Sequence, residues 1–210
     1  MQRVVVEGNI GCGKSTFLKG MVKLPHVTVK LEPIHKWQNL GGHNLLHLMY
    51  EDPQRWTMTF QTYAQVTMFK QMTMWPDDPN CKVSVQERSI WAARYVFVEN
   101  ALQNGFLHPA DIAVLNELYE YHQSLGLLNV NHIIYLRCDP EVCFQRMRTR
   151  GRSEEQGLPL SYLIHIHQLY DEWLVNGKHP THGAKVHVVD GMKSQTEMDI
   201  IAARLVESFQ

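Results

Sequence analysis

Residues 7–16, EGNIGCGKST, have the composition and spacing of a loop that binds phosphate. The segment matches the pattern GxxxxGK[ST], whose last two residues here are Lys14 and Ser15. The glycines permit a tight turn whose backbone N–H groups face phosphate oxygens, and the helix beginning at Lys14 adds the positive end of its dipole. Lys14 is expected to reach the β- and γ-phosphates, and Ser15 to ligate Mg²⁺. The residues expected to bind the nucleotide here are Gly8, Asn9, Ile10, Gly11, Cys12, Gly13, Lys14, Ser15 and Thr16.

This loop alone does not identify the reaction, because GTPases, ATPases and small-molecule kinases all contain it. Two acidic residues add information. Glu32 follows a predicted strand over residues 26–31, and Glu87 follows another over residues 82–86. Ligands of open α/β sheets bind beyond the carboxyl ends of the strands, so both carboxylates are expected at the ligand-binding edge.

An arginine cluster precedes a glycine-bounded segment over residues 151–157. One interpretation is a solvated face at a helix C-terminus, which the helix dipole favours. The other is a lid that closes on phosphates, since a guanidinium matches phosphate oxygens bidentately. Beside a phosphate-binding loop we favour the lid, although not all four arginines can reach one phosphate. The cluster comprises Arg146, Arg148, Arg150 and Arg152, of which Arg146, Arg150 and Arg152 are expected to contact ATP.

Two predicted helices are apolar on more than one side. The first covers residues 53–75 and the second residues 90–103. A helix that is apolar all round is buried on more than one side, so we expect one side to pack on the sheet and another on a partner subunit. The pattern therefore predicts a homodimer through these helices. Gln61, Ala64 and Met68 share one face of the first helix, where they either line a pocket or belong to a core containing a hydrogen-bonded glutamine.

Strands and helices alternate along the whole chain. Further strands are predicted over residues 132–137 and 185–190, and further helices over residues 110–127, 159–176 and 194–209. This order, with the phosphate-binding loop and the arginine cluster, predicts an α/β P-loop fold with a five-stranded parallel sheet, helices on both faces and an arginine-rich lid. We expect one domain over residues 1–210, with the lid at about 146–157.

Composition excludes several classes of protein. The net charge of −1 and the pI near 6.9 argue against a nucleic-acid surface, and no apolar run is long enough to span a membrane. The four cysteines form no CxxC pair, so they are expected to be reduced thiols in a cytosol-like compartment. The first strand begins within a few residues, so we expect no leader peptide and a cytoplasmic protein, although a mature imported protein would look the same. The twelve histidines match no zinc pattern.

The motifs taken together resemble the deoxyribonucleoside kinase family. Within it they are most similar to the insect multisubstrate deoxynucleoside kinases and to the mitochondrial-type thymidine kinases. The resemblance extends over nearly the whole chain and keeps the order of the motifs. The matching segments are EGNIGCGKST at 7–16, EPIHKW at 32–37, LMYEDPQRW at 48–56, QTYAQVTM at 61–68, QERSIWAARYVFVEN at 86–100, IYLRCDPE at 134–141, RTRGRSEE at 148–155 and PLSYL at 159–163.

This resemblance implies an α/β P-loop kinase fold and an enzyme of nucleotide salvage and DNA precursor synthesis that transfers phosphate from ATP, with Mg²⁺, to a nucleoside 5′-hydroxyl. It implies that Glu32 is the general base, that Glu87 helps to hold Mg²⁺ and takes part in catalysis, and that Arg88 lies near the 5′-oxygen and Glu32. Lys14 would neutralise charge on the transferred group. The remaining implied contacts are Gln61 with the nucleobase edge, Trp37 and Phe97 with the base faces, and Tyr50 and Glu155 with the 3′-hydroxyl.

Three small or apolar residues would form the floor of the implied base pocket. Relatives tuned to deoxycytidine and purines have an arginine and an aspartate where this chain has Met68 and Ala93. Because this chain lacks that arginine and that aspartate, we expect thymidine and deoxycytidine to be its preferred substrates. Ala64 is smaller than the valine typical of the insect and mitochondrial enzymes, which leaves extra room for a purine.

Three other assignments compete with this one. A thymidylate-type monophosphate kinase would need a basic residue for the acceptor phosphate, and the EPIHKW and ERS motifs fit a neutral nucleoside better. A regulatory GTPase would need an NKxD motif, which the chain lacks. A non-catalytic nucleotide-binding subunit has no chemical reason to keep the full set of charged residues.

Overall fold

Five parallel strands form the centre of the molecule. The computed structural model describes residues 1–74 and 78–209. The strand order is β2-β3-β1-β4-β5, and all neighbouring pairs are parallel. This arrangement confirms the predicted sheet. The strands are β1 (Gln2–Glu7), β2 (Val27–Lys30), β3 (Val83–Glu87), β4 (His132–Arg137) and β5 (Lys185–Asp190).

Helices cover both faces of this sheet, as predicted. One core lies between the sheet and α4, α5 and α9 and contains Met68, Trp91 and Trp173, while the other lies against α1, α8 and α10 and contains Phe17 and Val206. Burial on both faces of the sheet explains the continuous apolar run Val4, Val5 and Val6 in the central strand β1. The helices are α1 (Lys14–Met21), α2 (Ile34–Gln38), α3 (Leu45–Glu51), α4 (Pro53–Thr73), α5 (Ile90–Ala92), α6 (Glu99–Gln103), α7 (Pro109–Ser124), α8 (Pro140–Arg150), α9 (Leu160–Leu174) and α10 (Gln195–Phe209).

Side chains cap the N-termini of three helices near the edge of the sheet where the ligand is expected. Asp52 accepts a hydrogen bond from the Arg55 backbone N–H at the start of α4, and Asp139 accepts one from Glu141 at the start of α8. Ser89 caps α5 by accepting from the Ala92 N–H at 3.3 Å. This cap determines that the helix after β3 begins at Ile90.

Several predicted boundaries were wrong. The helix predicted over residues 53–75 ends at Thr73, and its last predicted residue, Trp75, lies outside the described residues. The helices predicted over 110–127 and 159–176 are shorter, and α2 was not predicted because five residues are too few to show a helical period. The segment 90–103 is not one α-helix, because a π-helical turn, Ala93–Val98, separates α5 from α6.

The apolar character of α4 has an explanation within this chain. The side chains of Phe60, Met68 and Met72 face the core, and Phe69 stacks on His122 of α7 with ring centroids 4.2 Å apart. Helix α3 packs along α4 as well. Contacts within the chain therefore account for much of the apolar surface of this helix, and the homodimer through residues 53–75 and 90–103 stays a prediction.

Residues 90–103 are likewise covered from within the chain. Trp91, Val96 and Val98 are fully buried, and Leu102 is the one large apolar side chain of this segment that is exposed. Within the described part of the chain, no helix has both the length and the apolarity that crossing a membrane requires.

Candidate active site

A cavity of about 800 Å³ lies beyond the carboxyl ends of β1, β2 and β3. The loop between β1 and α1 forms one wall, and α4, the π-helical turn and the C-terminal half of α8 form the others. All ten residues that the sequence predicted to contact a nucleoside line this cavity. They are Glu32, Trp37, Tyr50, Gln61, Ala64, Met68, Arg88, Ala93, Phe97 and Glu155.

The loop over residues 8–13 needs glycine at two positions for space as well as conformation. Gly8 and Gly11 have φ of 146° and 77°. A Cβ on Gly8 would lie 2.7 Å from the Leu136 carbonyl oxygen, and one on Gly11 would collide with the carbonyl of Cys143. The loop is thus pressed against β4 and α8. Its final glycine, Gly13, offers α1 no side-chain cap, which leaves the first helical N–H groups for an anion.

Not all of the loop residues predicted to bind nucleotide reach the cavity. Asn9 ties the loop to α9, since its amide donates to the Leu163 carbonyl at 2.8 Å. Cys12 is buried beneath the loop, and burial raises the pKa of its thiol. The side chains of these two residues are structural, and Gly8 also lies behind the cavity wall. The loop residues that line the cavity are Ile10, Gly11, Gly13, Lys14, Ser15 and Thr16.

Lys14 lies over the loop with only 5% of its surface exposed. Its Nζ donates to the carbonyl oxygens of Gly8 at 3.1 Å and Asn9 at 2.8 Å. Within the described residues, no carboxylate lies at ion-pair distance from this ammonium. A buried positive charge with neutral partners favours an anionic ligand in the cavity.

Ser15 and Glu87 meet at the phosphate side of the cavity. The Ser15 hydroxyl donates to Glu87 Oε1 at 2.9 Å, and the other Glu87 oxygen accepts from the Glu32 backbone N–H at 3.3 Å. A hydroxyl and a carboxylate are oxygen ligands of the kind that Mg²⁺ takes. Because Mg²⁺ keeps waters and binds substrate phosphates, two protein oxygens are sufficient, and these residues fit that ion.

Arg88 and Glu32 form a buried ion pair at the centre of the cavity. The Arg88 Nε lies 2.6 Å from Glu32 Oε1, and the guanidinium carbon lies 4.6 Å from the centroid of the Phe97 ring. Burial opposes the charge on Arg88, but Glu32 and other neighbouring groups outweigh it and raise the Arg88 pKa. The residue also has a φ of 63°, which a non-glycine residue rarely adopts. A strained, charged residue at a strand end is typical of a functional site.

Gln61 lies in the cavity wall, and this position decides between the two interpretations of its helix face. Gln61, Ala64 and Met68 all line the cavity. The Gln61 side chain is 4% exposed, and its Oε1 has no hydrogen-bond partner among the described residues. An unsatisfied buried amide oxygen in a cavity wall indicates a ligand with a polar edge.

The lid arginines do not all face the loop. Arg146 donates to the carbonyl oxygens of Gly191 at 2.9 Å and Cys12 at 3.4 Å. Arg150 and Arg152 each donate to one oxygen of Glu155 at 2.5 Å. Arg148 instead bonds the Gln156 carbonyl and is not among the cavity-lining residues. Within the described residues, Arg146, Arg150 and Arg152 therefore line the cavity, two of them paired with the residue expected to bind a sugar.

Comparison with known proteins shows which family these features belong to. The family model described as deoxynucleoside kinase matches residues 4–207. This chain belongs to the deoxynucleoside kinase family. The kinase is 41% identical to mitochondrial thymidine kinase 2 from Homo sapiens over 99% of this chain and 74% of that protein. It is 32% identical to deoxycytidine kinase from Homo sapiens, over 84% of this chain and 76% of that protein. It is 34% identical to mitochondrial deoxyguanosine kinase from Xenopus laevis, over 83% of this chain and 73% of that protein.

These relationships make the chain an enzyme that phosphorylates deoxynucleosides, as the motifs predicted. Sequence reasoning missed several walls of the kinase's cavity. Phe60 lines it and packs edge-on against Trp37, with centroids 5.4 Å apart. Its position one turn before Ala64 was the available signal, but the apolar residues all round α4 concealed it. Leu46 and Met49 of α3 also line the cavity.

Proposed function

We propose that this kinase transfers the γ-phosphoryl group of ATP to the 5′-hydroxyl of thymidine and deoxycytidine. The observation that supports this preference is the buried Gln61 Oε1, which has no hydrogen-bond partner among the described residues, in a cavity with an uncharged floor. A side-chain amide presents one donor and one acceptor side by side. In one orientation it matches N3–H and O4 of thymine, and after a flip it matches N3 and N4–H₂ of cytosine. One residue thus serves both pyrimidines.

The floor of the pocket supports the same preference. Ala64, Met68 and Ala93 are all buried and uncharged, so they offer no charged group to a purine edge. Ala93 begins the π-helical turn, and such turns are frequent at functional sites. The small Ala64 leaves room beside Gln61, so we propose that purine deoxynucleosides are accepted at lower efficiency.

We propose that Glu32 orients the 5′-hydroxyl and accepts its proton late in the transfer, which contributes about 10²–10⁴-fold to rate. Arg88 holds the Glu32 carboxylate at one oxygen, which leaves the second oxygen for the hydroxyl. Trp37 and Phe97 enclose the base, while Tyr50 and Glu155 hold the 3′-hydroxyl. In this scheme, the pairing of Arg150 and Arg152 with Glu155 couples sugar binding to closure of a lid at about 146–157.

Lys14 and the lid arginines Arg146, Arg150 and Arg152 are proposed to bind the donor phosphates. Ser15 and Glu87 are proposed to hold Mg²⁺. That ion supplies charge neutralisation on the phosphates when bound. The protein's own part is to orient the reactants and to exclude water from the cavity.

We propose further that residues 1–210 act as one domain and assemble as a homodimer through the helical segments over residues 53–75 and 90–103, where Leu102 is exposed. Light scattering of the purified kinase would test the dimer. A thiol-reducing compartment, cytosolic or mitochondrial, is consistent with four free, buried cysteines. Imaging of a fluorescent fusion would decide between the two.

A steady-state assay with Mg·ATP tests the reaction directly. Thymidine, deoxycytidine, deoxyadenosine, deoxyguanosine and dTMP are offered side by side. We expect turnover of the nucleosides but not of dTMP, with both pyrimidines ahead of the purines in kcat/KM. Deoxyguanosine ahead of thymidine would refute the preference, turnover of dTMP alone would indicate a monophosphate kinase, and ATP binding without any turnover would indicate a non-catalytic subunit.

A further inference from the structure

Glu7 is a buried acid that the scheme above does not use. It is the last residue of β1, directly before the phosphate-binding loop, and its side chain is completely buried. A charged group in such a position is costly unless hydrogen bonds satisfy it. Both of its oxygens have a partner, because the Ser89 hydroxyl donates to Oε1 at 2.5 Å and the Tyr170 hydroxyl donates to Oε2 at 3.0 Å.

Tyr170 connects this acid to the centre of the site. Arg88 Nη1 donates to the Tyr170 hydroxyl oxygen at 2.8 Å. A guanidinium has no acceptor, so the direction of this bond is fixed, and the tyrosine proton is left to point at Glu7. The order from Arg88 through Tyr170 to Glu7 is therefore determined by the donors and acceptors themselves.

Glu7 holds the end of β3 at two adjacent points. It contacts Ser89 directly and Arg88 through Tyr170, and Ser89 in turn caps α5. Arg88, between these contacts, has the left-handed φ of 63° and pairs with Glu32 at 2.6 Å. A residue in this conformation persists only where its surroundings hold it.

We propose that Glu7 is a positioning residue for phosphoryl transfer, which through Tyr170 and Ser89 orients the Arg88 guanidinium toward Glu32. This inference rests on the roles of Arg88 and Glu32 given under Proposed function. Displacing a catalytic group by about 1 Å can cost about 10²-fold in rate, so loss of the connection is expected to lower kcat. The donor phosphates are bound elsewhere, by Lys14 and the lid arginines, so ATP affinity is expected to stay the same.

The charge state of Glu7 supplies a second readout. Burial raises its pKa to about 7, against the opposing influence of Arg88, the hydrogen bonds from Ser89 and Tyr170, and the charge of Lys14. The ionised carboxylate accepts from both hydroxyls. The protonated form has a donor of its own, so one of the two hydroxyls loses its acceptor. We therefore expect kcat to decline on the acid side of neutrality through this group.

The test compares Glu7→Gln and Tyr170→Phe, singly and together, in the full chain. Glutamine keeps the volume, but it has one acceptor oxygen and one donor NH₂, so it cannot accept from Ser89 and Tyr170 together as the Glu7 carboxylate does. Phenylalanine keeps the ring and removes the hydroxyl. Tyr135→Phe is the matched control, because the Tyr135 hydroxyl also donates to a carboxylate, that of Asp171 at 2.8 Å, and its ring stacks on Tyr170 without contacting Arg88.

We expect each single change to lower kcat by about ten- to a hundred-fold with the ATP dissociation constant within two-fold of wild type. The double variant is expected to be no slower than the slower single variant, and Tyr135→Phe to stay within two-fold. The acid limb of kcat near pH 7 is expected to disappear in Glu7→Gln. A folded Glu7→Gln kinase with kcat within two-fold, strictly multiplicative effects, or an unchanged acid limb would overturn the inference.

Two further results keep this test decisive. If Glu7→Gln does not fold, Tyr170→Phe alone decides, since a kcat within two-fold of wild type would refute the connection. Glu32→Gln separates this inference from the proposed mechanism. A large loss in Glu32→Gln together with no loss in Tyr170→Phe would refute the positioning role alone, whereas near-wild-type turnover of Glu32→Gln would refute the mechanism.

Discussion

Replacing Gln61 with leucine should move stability and activity in opposite directions. The buried Oε1 of Gln61 has no hydrogen-bond partner among the described residues, and such an orphan acceptor costs about 1–3 kcal/mol. Leucine removes it at nearly the same volume. We therefore expect the free energy of unfolding to rise by about 1 kcal/mol, or about 2–4 °C in Tm for a chain of this size.

Catalysis should suffer because the nucleobase loses its partners. Two hydrogen bonds to the base edge disappear, and the donor and acceptor of the base are then buried unpaired. At about 1.5 kcal/mol for each bond, the loss of transition-state stabilisation is about 3 kcal/mol. This corresponds to a decrease of roughly a hundred-fold in kcat/KM for thymidine and deoxycytidine alike.

The assay pairs steady-state kinetics with urea unfolding of the same preparations. Gln65→Leu is the matched control, because Gln65 lies one turn further along α4, is fully buried and also has an unpartnered Oε1. Its Nε2 bonds the Leu115 carbonyl at 3.4 Å rather than facing the cavity. We expect the control to keep kcat/KM within two-fold. A Gln61→Leu kinase with thymidine kcat/KM within three-fold of wild type would refute our account of the pocket.

Three further predictions follow from the same geometry. Glu32→Gln should keep ATP binding, measured by equilibrium titration, while turnover decreases by about 10²–10⁴-fold, and near-wild-type turnover would remove Glu32 as the base. Ala64→Val should lower kcat/KM for deoxyguanosine relative to thymidine by about ten-fold or more, because valine adds two carbons and a single carbon in a pocket already discriminates by about ten-fold. An unchanged ratio would show that Ala64 does not limit purine access. Burial raises the Glu7 pKa to about 7, so between pH 4.5 and 7 the folded chain binds more protons at this site than the unfolded chain. The contribution of this group to stability is therefore present at low pH and is lost as the pH rises through 7. In urea unfolding, the free energy of unfolding of the wild type should increase by on the order of 3 kcal/mol relative to that of Glu7→Gln when the pH is lowered from 7.5 to 4.5. A difference between the two proteins that does not change with pH would contradict the raised pKa.

Local patterns were sufficient for the five strands, for the longer helices and for the edge of the sheet at which the candidate site lies. The glycine spacing before Lys14 identified the phosphate-binding loop, because a tight turn and a helix start are encoded within a few residues. Predicted strands ending before Glu32 and Glu87 placed both carboxylates at the ligand edge, since the carboxyl ends of parallel strands meet at one edge of the sheet. The pattern could not show the π-helical turn at Ala93–Val98, because its apolar residues satisfy an α-helical period almost equally well.

The tertiary structure decided which side chains meet. Ser15 reaches Glu87 across 72 residues of chain, and Tyr170 reaches Glu7 across 163, distances at which periodicity gives no information. For the same reason the sequence left open whether Gln61 faced a pocket or a core, and it could not show that α3 and α7 cover part of the apolar surface of α4. Amino-acid pattern specifies which face of an element is apolar or charged, but the packing of elements distant in sequence determines what that face contacts.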